Sequence, residues 1–434
     1  SRGSVARGSV ARGSVARGSV ETRQGSTERA DIIRMNESCP SHDADRAVVG
    51  AGKLSMASLN THLVNAVLRL VVKRKLGNRP LSVAEVTRTR AELERYAART
   101  RPPRGVVISR LDLGGVPSES CRAPGAELPG RTILYLHGGA YALGSSKVYR
   151  RLAWRLAGTT GARVVTPDYR LAPEHPYPAA PDDALAAYAA LIESGHRPDT
   201  IAVAGDSAGG NLVLVLLQRI RAAGLPMPAS AVCLSPWADL SGAGESLTTN
   251  ARRDPMLPAH RFEEAAALYA PEGDLANPLL SPVFADFSGF PPLALHVGST
   301  EILLDDAIRV ARAAERDGVV TSLRIWPAQP HVFPMLASYL PEGREAIMAI
   351  GRFVVGQWLR CADRELDTLR GERAHDARIL ERTADSASAA ETASAASKSA
   401  PGAPTAGAPV RVDAAATTPQ RNGERTERTG RRAA

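Results

Sequence analysis

Aromatic side chains, closely spaced cysteines and long apolar runs are scarce or absent in this chain of 434 residues. Phe, Trp and Tyr make up only 4% of it, so Ala, Val and Leu must supply most of a hydrophobic core. No apolar run approaches the roughly 18 residues of a membrane-spanning helix, so we predict no membrane span. The four cysteines lie far apart, which excludes a zinc ribbon and a disulfide-dense fold. Reduced thiols of this kind predict a cytoplasmic protein.

The formal net charge of +9 lies mostly in the first hundred residues. These hold 18 Lys and Arg against 9 Asp and Glu, whereas residues 101–360 hold 24 against 25. A nucleic-acid-binding protein would be expected to carry its basic patch on the folded domain, with aromatic side chains among the cations. We therefore expect no nucleic-acid partner.

Composition divides the chain into four segments. Residues 1–50 begin with a degenerate repeat, SRGSV-ARGSV-ARGSV-ARGSV, which is too short and too poor in large apolar residues for a stacked core, so we predict a disordered extension. Residues 51–100 have a helical pattern, and residues 101–362 have the texture of a folded domain. Residues 363–434 become rich in Ala, Ser, Thr and Pro, which predicts a disordered tail.

Residues 59–76 have the pattern of a basic amphipathic helix. Four apolar side chains recur on one face, beside a cluster of three cations: Leu63, Val67, Leu70 and Val71, with Lys73-Arg74-Lys75. Such a helix can lie on a membrane surface or pack on a neighbouring domain. We expect packing on the main domain, because more chain of helical character follows.

From residue 104 onward, short apolar runs alternate with helical stretches. Seven runs predict strands, at 106–109, 132–137, 162–168, 200–205, 229–235, 292–298 and 322–327. Helices fit between and after them, at 149–157, 181–193, 208–223, 259–269, 304–317 and 342–360. This alternation predicts an α/β fold with a mostly parallel central sheet flanked by helices. In such sheets the chemistry lies at the carboxyl ends of the strands.

The segment Gly205-Asp206-Ser207-Ala208-Gly209 runs directly from a predicted strand into a predicted helix. G-x-S-x-G in that context is typical of a nucleophile elbow, whose glycines permit a strained backbone and close approach of neighbouring chain. The alternative is an ordinary Gly-rich turn, which the flanking strand and helix disfavour. Ser207 is the candidate nucleophile.

Two histidines follow predicted strands. His137 opens His137-Gly138-Gly139-Ala140-Tyr141, where consecutive glycines leave backbone N–H groups open to surround a developing oxyanion. We expect His137 to hold this loop, and the alternative is a strand-end histidine bonded to backbone. His331 lies in a loop after a late strand and before the last predicted helix, which makes it the candidate base.

In order along the chain, HGGAY, DYRLAPEHPYPA (168–179), GDSAGGN (205–211), EILLDD (301–306) and HVF resemble the hormone-sensitive-lipase-like branch of the α/β-hydrolases. The resemblance covers roughly residues 100–360 and implies the α/β-hydrolase fold, with residues 51–100 as an N-terminal helical cap. It implies a serine hydrolase that cleaves carboxylic esters, namely short to medium acyl esters, acetyl esters or lactones, through an acyl-enzyme. A small-molecule ester would be the partner, no metal or cofactor would be needed, and a homodimer is left open.

The same resemblance implies roles for the site residues. Ser207 would be the nucleophile and His331 the base, and the N–H groups of Gly138, Gly139 and Ala208 would form the oxyanion hole. His137 and Asp206 would support the site, and Tyr141 would lie at the substrate pocket.

Which residue is the acid of the triad depends on how this sequence is aligned with the family motif. The family usually shows Asp-Pro-Leu followed two residues later by another Asp. Aligning Leu303 with that Leu makes Glu301 the acid, with Ile302 in place of Pro, and puts Asp305 at the second acidic position. We assign Glu301 and keep Asp305 as the alternative.

Two other functions fit the same fold. A non-catalytic ligand-binding relative would have lost the triad histidine, which His331 argues against. A serine peptidase is the other alternative, and the HGG loop and the YRLAPEHP segment favour esters over amides.

Overall fold

The structure is a computed structural model that describes residues 57–77, 79–125, 128 and 130–398. The predicted extension at residues 1–50 and the end of the predicted tail, residues 399–434, lie outside the described residues. The chain divides into two units, Ser1–Glu365 and Leu366–Ala434. All the strands and the candidate site belong to the first unit.

In the described part of the chain, eight strands form one sheet. They are β1 (Val107–Leu113), β2 (Val116–Arg122), β3 (Thr132–Leu136), β4 (Arg163–Pro167), β5 (Ile201–Asp206), β6 (Ser230–Leu234), β7 (Leu293–Gly298) and β8 (Thr321–Trp326). Their order in the sheet is β1-β2-β4-β3-β5-β6-β7-β8. Strand β2 is antiparallel to both of its neighbours, and all other pairs are parallel. The predicted mostly parallel sheet is confirmed.

Seven strands match predicted runs, and β2 does not. Its sequence, VPSESCR, is largely polar, yet it pairs with β1 on one side and β4 on the other. Strand formation here depends on the neighbours rather than on the hydrophobicity of the segment itself. The signal that sequence reasoning missed is Gly114-Gly115, a two-residue turn with φ of 64° and 86°, which favours glycine.

Ten α-helices are present among the described residues, of which Arg74–Gly77 is a single turn that ends the segment after α1. The other nine are α1 (Leu59–Val67), α2 (Val83–Ala98), α3 (Ser146–Thr160), α4 (Ala179–Glu193), α5 (Ala208–Ala222), α6 (Ser246–Thr249), α7 (Arg261–Tyr269), α8 (Leu304–Arg316) and α9 (Pro341–Lys398). Strands β3, β5 and β6 are buried throughout. Their side chains alternate between two hydrophobic clusters: Leu134 and Val203 pack with α4, α5 and α8, while Ile133 and Ala202 pack with α3 and α9. The core therefore lies on both faces of the sheet.

The N-terminal region is helical, as predicted, but α1 buries its polar side and exposes its apolar side. It continues as a π-helical segment, Leu68–Lys73, and ends in a turn, Arg74–Gly77. Its buried residues are the polar Thr61 and Asn65, and its apolar face is exposed. The helix packs on the main domain, as expected, but through its polar side rather than its apolar face. Hydrogen bonds fix the inward side instead, because Asn65 donates to the Ala328 carbonyl and Thr61 accepts from Gln329.

The last helix extends beyond the predicted catalytic domain. Helix α9 continues to Lys398, so the predicted disordered tail is wrong for residues 363–398. This stretch is rich in Ala, Glu and Arg, which favour a helix without any apolar stripe. The described side chains beyond residue 365 are exposed, so local propensity rather than burial accounts for this part of the helix.

Candidate active site

Ser207 lies in a sharp turn between β5 and α5. Its φ of 53° and ψ of −121° are a strained combination for a residue with a side chain. A Cβ atom on Gly205 or on Gly209 would overlap the carbonyl oxygen of Leu136, at the end of β3. The flanking glycines thus allow the turn to lie against the neighbouring strand. Ser207 is partly exposed although Asp206 and Ala208 beside it are buried, so its hydroxyl can be reached.

His331 is paired with Glu301. His331 Nδ1 lies 2.8 Å from Glu301 Oε2, and both side chains are buried. Burial lowers the pKa of His331, but the hydrogen bond and charge of Glu301, with the charges of Asp254 and Asp206, outweigh it and hold that pKa above its ordinary value. The carboxylate thus orients the ring and favours the imidazolium.

Glu301 is held at its second oxygen. Glu301 Oε1 accepts hydrogen bonds from the Ser235 hydroxyl at 2.8 Å and from the Gly298 N–H at 2.5 Å. Ser235 follows β6, has a φ of 45°, and its Oγ also accepts from the Val332 N–H, 3.2 Å away. One hydroxyl therefore links the acid to the histidine loop. Sequence reasoning missed Ser235, and its only signal is its place at the carboxyl end of a strand.

Asp305 lies elsewhere. Asp305 is in the first turn of α8, and its carboxylate accepts a hydrogen bond from the Ser246 N–H at 2.6 Å. The next residue, Asp306, accepts from the Ala238 and Asp239 N–H groups, and its burial raises its pKa to about 8. Of the two acids considered from the sequence, the structure brings Glu301 to His331 and leaves Asp305 in a structural contact.

The oxyanion loop differs from the sequence assignment at Gly138. The N–H of Gly138 is buried and donates to Asp206 Oδ1 and to the Tyr149 hydroxyl, at 3.0 Å each. Gly139 and Ala140 are partly exposed. Among the hydrogen bonds of the described residues, none has the N–H of Gly139, Ala140 or Ala208 as its donor. In this geometry the N–H of Gly138 is engaged rather than free for an oxyanion, which disagrees with its assignment, whereas the N–H of Ala140, which sequence reasoning did not name, has no such partner among the described residues.

Asp206 organises that loop. Its carboxylate accepts from the hydroxyls of Tyr135 and Tyr149, at 2.8 Å each, as well as from Gly138. Burial raises the pKa of Asp206 to about 6, although these hydrogen bonds oppose the rise. The residue before the nucleophile thus ties the elbow to the oxyanion loop, which supports the positioning role expected for it.

His137 is also placed as a support. Its Nδ1 lies 2.9 Å from the Gly138 carbonyl oxygen, and its ring stacks on Tyr169 with centroids 4.3 Å apart. The Tyr169 hydroxyl donates to the His137 carbonyl at 2.6 Å. Burial lowers the pKa of His137, which keeps the ring neutral. A neutral, fully buried ring suits a structural part and not proton transfer.

Tyr141 does not line an open pocket. Its side chain is fully buried, and its ring stacks on Tyr269 with centroids 3.7 Å apart. Its hydroxyl donates to Asn211 Oδ1 at 2.6 Å, and the Asn211 amide donates to the Trp237 and Leu280 carbonyls. The substrate-pocket assignment of Tyr141 is therefore corrected to a buried support behind the loop.

An arginine of the cap clamps the same loop. Arg90 of α2 donates from Nε to the Ala142 carbonyl at 2.7 Å and from Nη2 to the Ala172 carbonyl at 2.6 Å. Its Nη1 bonds both carboxylate oxygens of Glu174. One guanidinium therefore joins the cap, the oxyanion loop and the YRLAPEHP segment. No sequence pattern singled out Arg90, because its acceptors are mainly backbone carbonyls from distant segments.

Among the described residues, no group of three or more His, Cys, Asp or Glu side chains could hold a metal ion. No helix in that part of the chain is both long and apolar enough to cross a membrane.

Comparison with known proteins agrees with this fold. A family model described as the α/β-hydrolase fold matches residues 133–335. An acetyl-hydrolase from Streptomyces hygroscopicus is 45% identical over 229 residues, which is 53% of this chain and 77% of that protein. The crystal structure of an esterase of the bacterial hormone-sensitive lipase family aligns with a TM-score of 0.65 and 39% identity, over 70% of this chain and 100% of that one. EstE5, in crystals soaked with p-nitrophenyl butyrate, aligns with the same TM-score, 38% identity and the same coverage.

The chain belongs to the α/β-hydrolase family, in the hormone-sensitive-lipase-like branch. Within that branch it is a carboxylic ester hydrolase.

Proposed function

We propose that Ser207, His331 and Glu301 form the catalytic triad and that the reaction passes through an acyl-enzyme on Ser207. The observation that carries this proposal is the buried bond of 2.8 Å between His331 Nδ1 and Glu301 Oε2. That bond engages one ring nitrogen and leaves Nε2 to act as the base toward a reachable serine hydroxyl at the elbow. Serine, histidine and carboxylate in these roles are those of a serine hydrolase.

The reaction then proceeds in two halves. His331 Nε2 removes the proton of Ser207 as Oγ attacks the ester carbonyl carbon, and His331 then protonates the departing alcohol. Water enters, gives a proton to His331 and attacks the acyl carbon. The proton returns to Ser207 Oγ as the carboxylic acid leaves. Glu301 orients the ring and stabilises the imidazolium in both halves.

The N–H groups of Gly139, Ala140 and Ala208 are the proposed oxyanion donors. Each lies at a partly exposed loop or at the first turn of α5, and none donates to a described protein acceptor. Donors held in place before the charge develops stabilise the tetrahedral intermediate, and losing one costs about 3 kcal/mol in the barrier. Gly138 contributes by bonding to Asp206, which keeps the loop in register with Ser207.

The acyl groups accepted are short to medium. Behind the oxyanion loop, the Tyr141 ring stacks on Tyr269, and Tyr177 packs edge-on against Tyr269, with centroids 6.0 Å apart. The Tyr141 and Tyr269 rings are buried and Tyr177 is half-buried, and we infer that they limit the room for a long acyl chain on that side. A series of p-nitrophenyl esters from acetate to dodecanoate should show kcat/KM falling toward the long chains. A maximum at dodecanoate would contradict this preference.

The catalytic proposal is tested with p-nitrophenyl butyrate and a mass-spectrometric search for an acylated peptide. The wild-type protein should show acyl transfer to Ser207, and Ser207→Ala should lose at least about 10⁴-fold in kcat. Ser194→Ala is the matched control, since Ser194 is an exposed serine directly after the last residue of α4. Acylation at any other residue, or full turnover by Ser207→Ala, would overturn the proposal.

The same assay separates an esterase from a peptidase. A p-nitroanilide with the same acyl group should be turned over far more slowly than the ester. Comparable rates on the two would favour the peptidase alternative on the same triad.

We also propose that the protein is located in the cytoplasm. The three described cysteines, Cys121, Cys233 and Cys361, are free thiols. Free thiols are typical of a reducing compartment. Fractionation of cells that express the full chain tests this location, and recovery outside the cytoplasmic membrane would contradict it.

A further inference from the structure

Five large apolar side chains form an exposed row on α1 and on the π-helical segment after it. We call this row the α1 stripe: Leu59 (80% exposed), Leu63 (68%), Val67 (58%), Leu70 (72%) and Val71 (59%). Spacings of three and four residues put these side chains next to one another on one face. Single exposed leucines are ordinary, but a continuous exposed apolar patch is typical of an interaction surface.

The orientation of the stripe is fixed by the opposite side of the helix. Asn65 Nδ2 donates to the Ala328 carbonyl at 2.8 Å, and Thr61 Oγ1 accepts from Gln329 Nε2 at 3.0 Å. At the far end, Lys73 Nζ donates to the carbonyls of Ala251 and Asp254, at 2.7 Å each. Rolling the helix to bury the stripe would break these bonds and bury unpaired polar groups, so the stripe stays outward.

The helical segment that carries the stripe is basic. Residues 59–77 hold four Lys and Arg and no Asp or Glu. Arg69, Arg74 and Lys75 are exposed on the same helical segment as the stripe. An amphipathic helix with exposed leucines and flanking cations has the composition of a segment that lies in a bilayer interface.

We propose that the α1 stripe docks on the surface of an anionic lipid bilayer. The leucine and valine side chains enter the boundary between headgroups and acyl chains, and the cations lie near the lipid phosphates. A second copy of this chain fits the surface less well, because two basic surfaces would be brought together and their like charges would repel. This inference does not rest on the triad, since neither the stripe nor its cations include a residue of the proposed triad.

The test is sedimentation of the full chain with vesicles. Vesicles of phosphatidylglycerol and phosphatidylcholine should bind the protein, and vesicles of phosphatidylcholine alone should bind it more weakly. Added salt should weaken binding to the anionic vesicles, because it screens the charges. The variant Leu63→Gln/Leu70→Gln should lose at least about tenfold in partition constant, since it removes apolar surface that the bilayer would bury.

A matched control removes exposed apolar surface elsewhere. Val107→Thr/Val320→Thr changes two side chains that are 59% and 52% exposed, on β1 and just before β8, and should bind as the wild type does. Circular dichroism and thermal unfolding check that each variant is folded. The single variant Leu59→Gln, at the first helical residue, gives a second reading with a smaller loss in binding should the double variant not fold.

Four results would overturn the proposal. The first is a wild-type protein that does not sediment with anionic vesicles, as would follow if another part of the chain covers the stripe. The second is unchanged binding by folded Leu63→Gln/Leu70→Gln, which would place the binding elsewhere in the chain. The third is equal loss in the control variant. The fourth is self-association that the stripe variant abolishes, without vesicle binding by the wild type, which would make the stripe an interface between copies.

Discussion

Glu301 and Asp305 are separated by four residues and by entirely different surroundings. Glu301→Gln should lower kcat by about 10⁴-fold, because a neutral amide no longer stabilises the imidazolium or enforces the tautomer. Asp305→Asn should lower it by about tenfold at most, since Asp305 only accepts from Ser246. Steady-state kinetics with p-nitrophenyl butyrate measures both, with circular dichroism as the check on folding. The reverse pattern would make Asp305 the acid and remove the basis of the triad.

The pH profile follows from the environment of His331. Its pKa is held above the ordinary value of about 6.5, so the acidic limb of kcat/KM should have its midpoint above that value, with activity rising as pH rises and His331 loses its proton. The ion pair with Glu301 stabilises the fold at low pH, and that contribution is lost as pH rises through the raised pKa.

Removing the carboxylate should reverse this shift. In Glu301→Gln, burial remains and its main opposing charge is gone, so the pKa of His331 should drop. An NMR titration of the imidazole nitrogens in both proteins measures it, and Asp305→Asn is the control that should titrate like the wild type. An unchanged pKa in Glu301→Gln would show that Glu301 does not govern the histidine.

Sequence reasoning identified Ser207, His331 and Glu301 as candidates, but of its three oxyanion donors it included Gly138, whose N–H is engaged. The reason is physical: which N–H is free depends on where other side chains lie. Asp206 and Tyr149 engage Gly138, and the motif HGGAY carries no information on either contact. The role of Tyr141 was likewise decided by Tyr269, a residue more than a hundred positions away.

Most strands of the sheet and the helices that flank it could be predicted, because buried apolar side chains recur in their sequences with the period of each element. Strand β2 was not, since its pairing depends on β1 and β4. The orientation of α1 was also out of reach, because hydrogen bonds of Thr61 and Asn65 to a distant loop outweigh the burial of its leucines. Periodicity predicts that a helix has two faces, and not which of them its neighbours bind.

The contact between cap and oxyanion loop gives a prediction for Arg90. Arg90→Ala should lower kcat about tenfold or more with a smaller effect on KM, because the loop at Ala142 loses a fixed point close to the donors. Arg90→Lys should recover little, since one ammonium cannot match a guanidinium that bonds three groups. Kinetics with p-nitrophenyl butyrate and the unfolding temperature separate a positioning effect from lost stability.

Arg88→Ala is the control for this prediction. Arg88 lies on the same helix, is half exposed and pairs with Glu85, away from the oxyanion loop. Its kcat should stay within about twofold of the wild type. Equal kcat for Arg90→Ala and Arg88→Ala would show that the clamp does not position the loop.

The chain divides into two units after Glu365, and we expect catalysis to need only the first of them. A chain that ends at Glu365 should keep kcat/KM within about threefold, because every residue of the candidate site lies before that point. The large apolar side chains of the second unit, such as Leu366 and Leu380, are exposed, so their removal takes little from any core. A loss beyond about tenfold would show that the second unit takes part in the reaction.

The cap is held to the rest of the first unit largely by hydrogen bonds to backbone carbonyls, and this affects which positions can change in evolution. Arg69, Lys73 and Arg90 all donate to backbone carbonyls, as does Asn65. Every amino acid offers a carbonyl, so the loops that accept these bonds can change their side chains without releasing the cap. Mutational drift in those loops is therefore buffered, because their side chains can change while the attachment of the N-terminal helices persists.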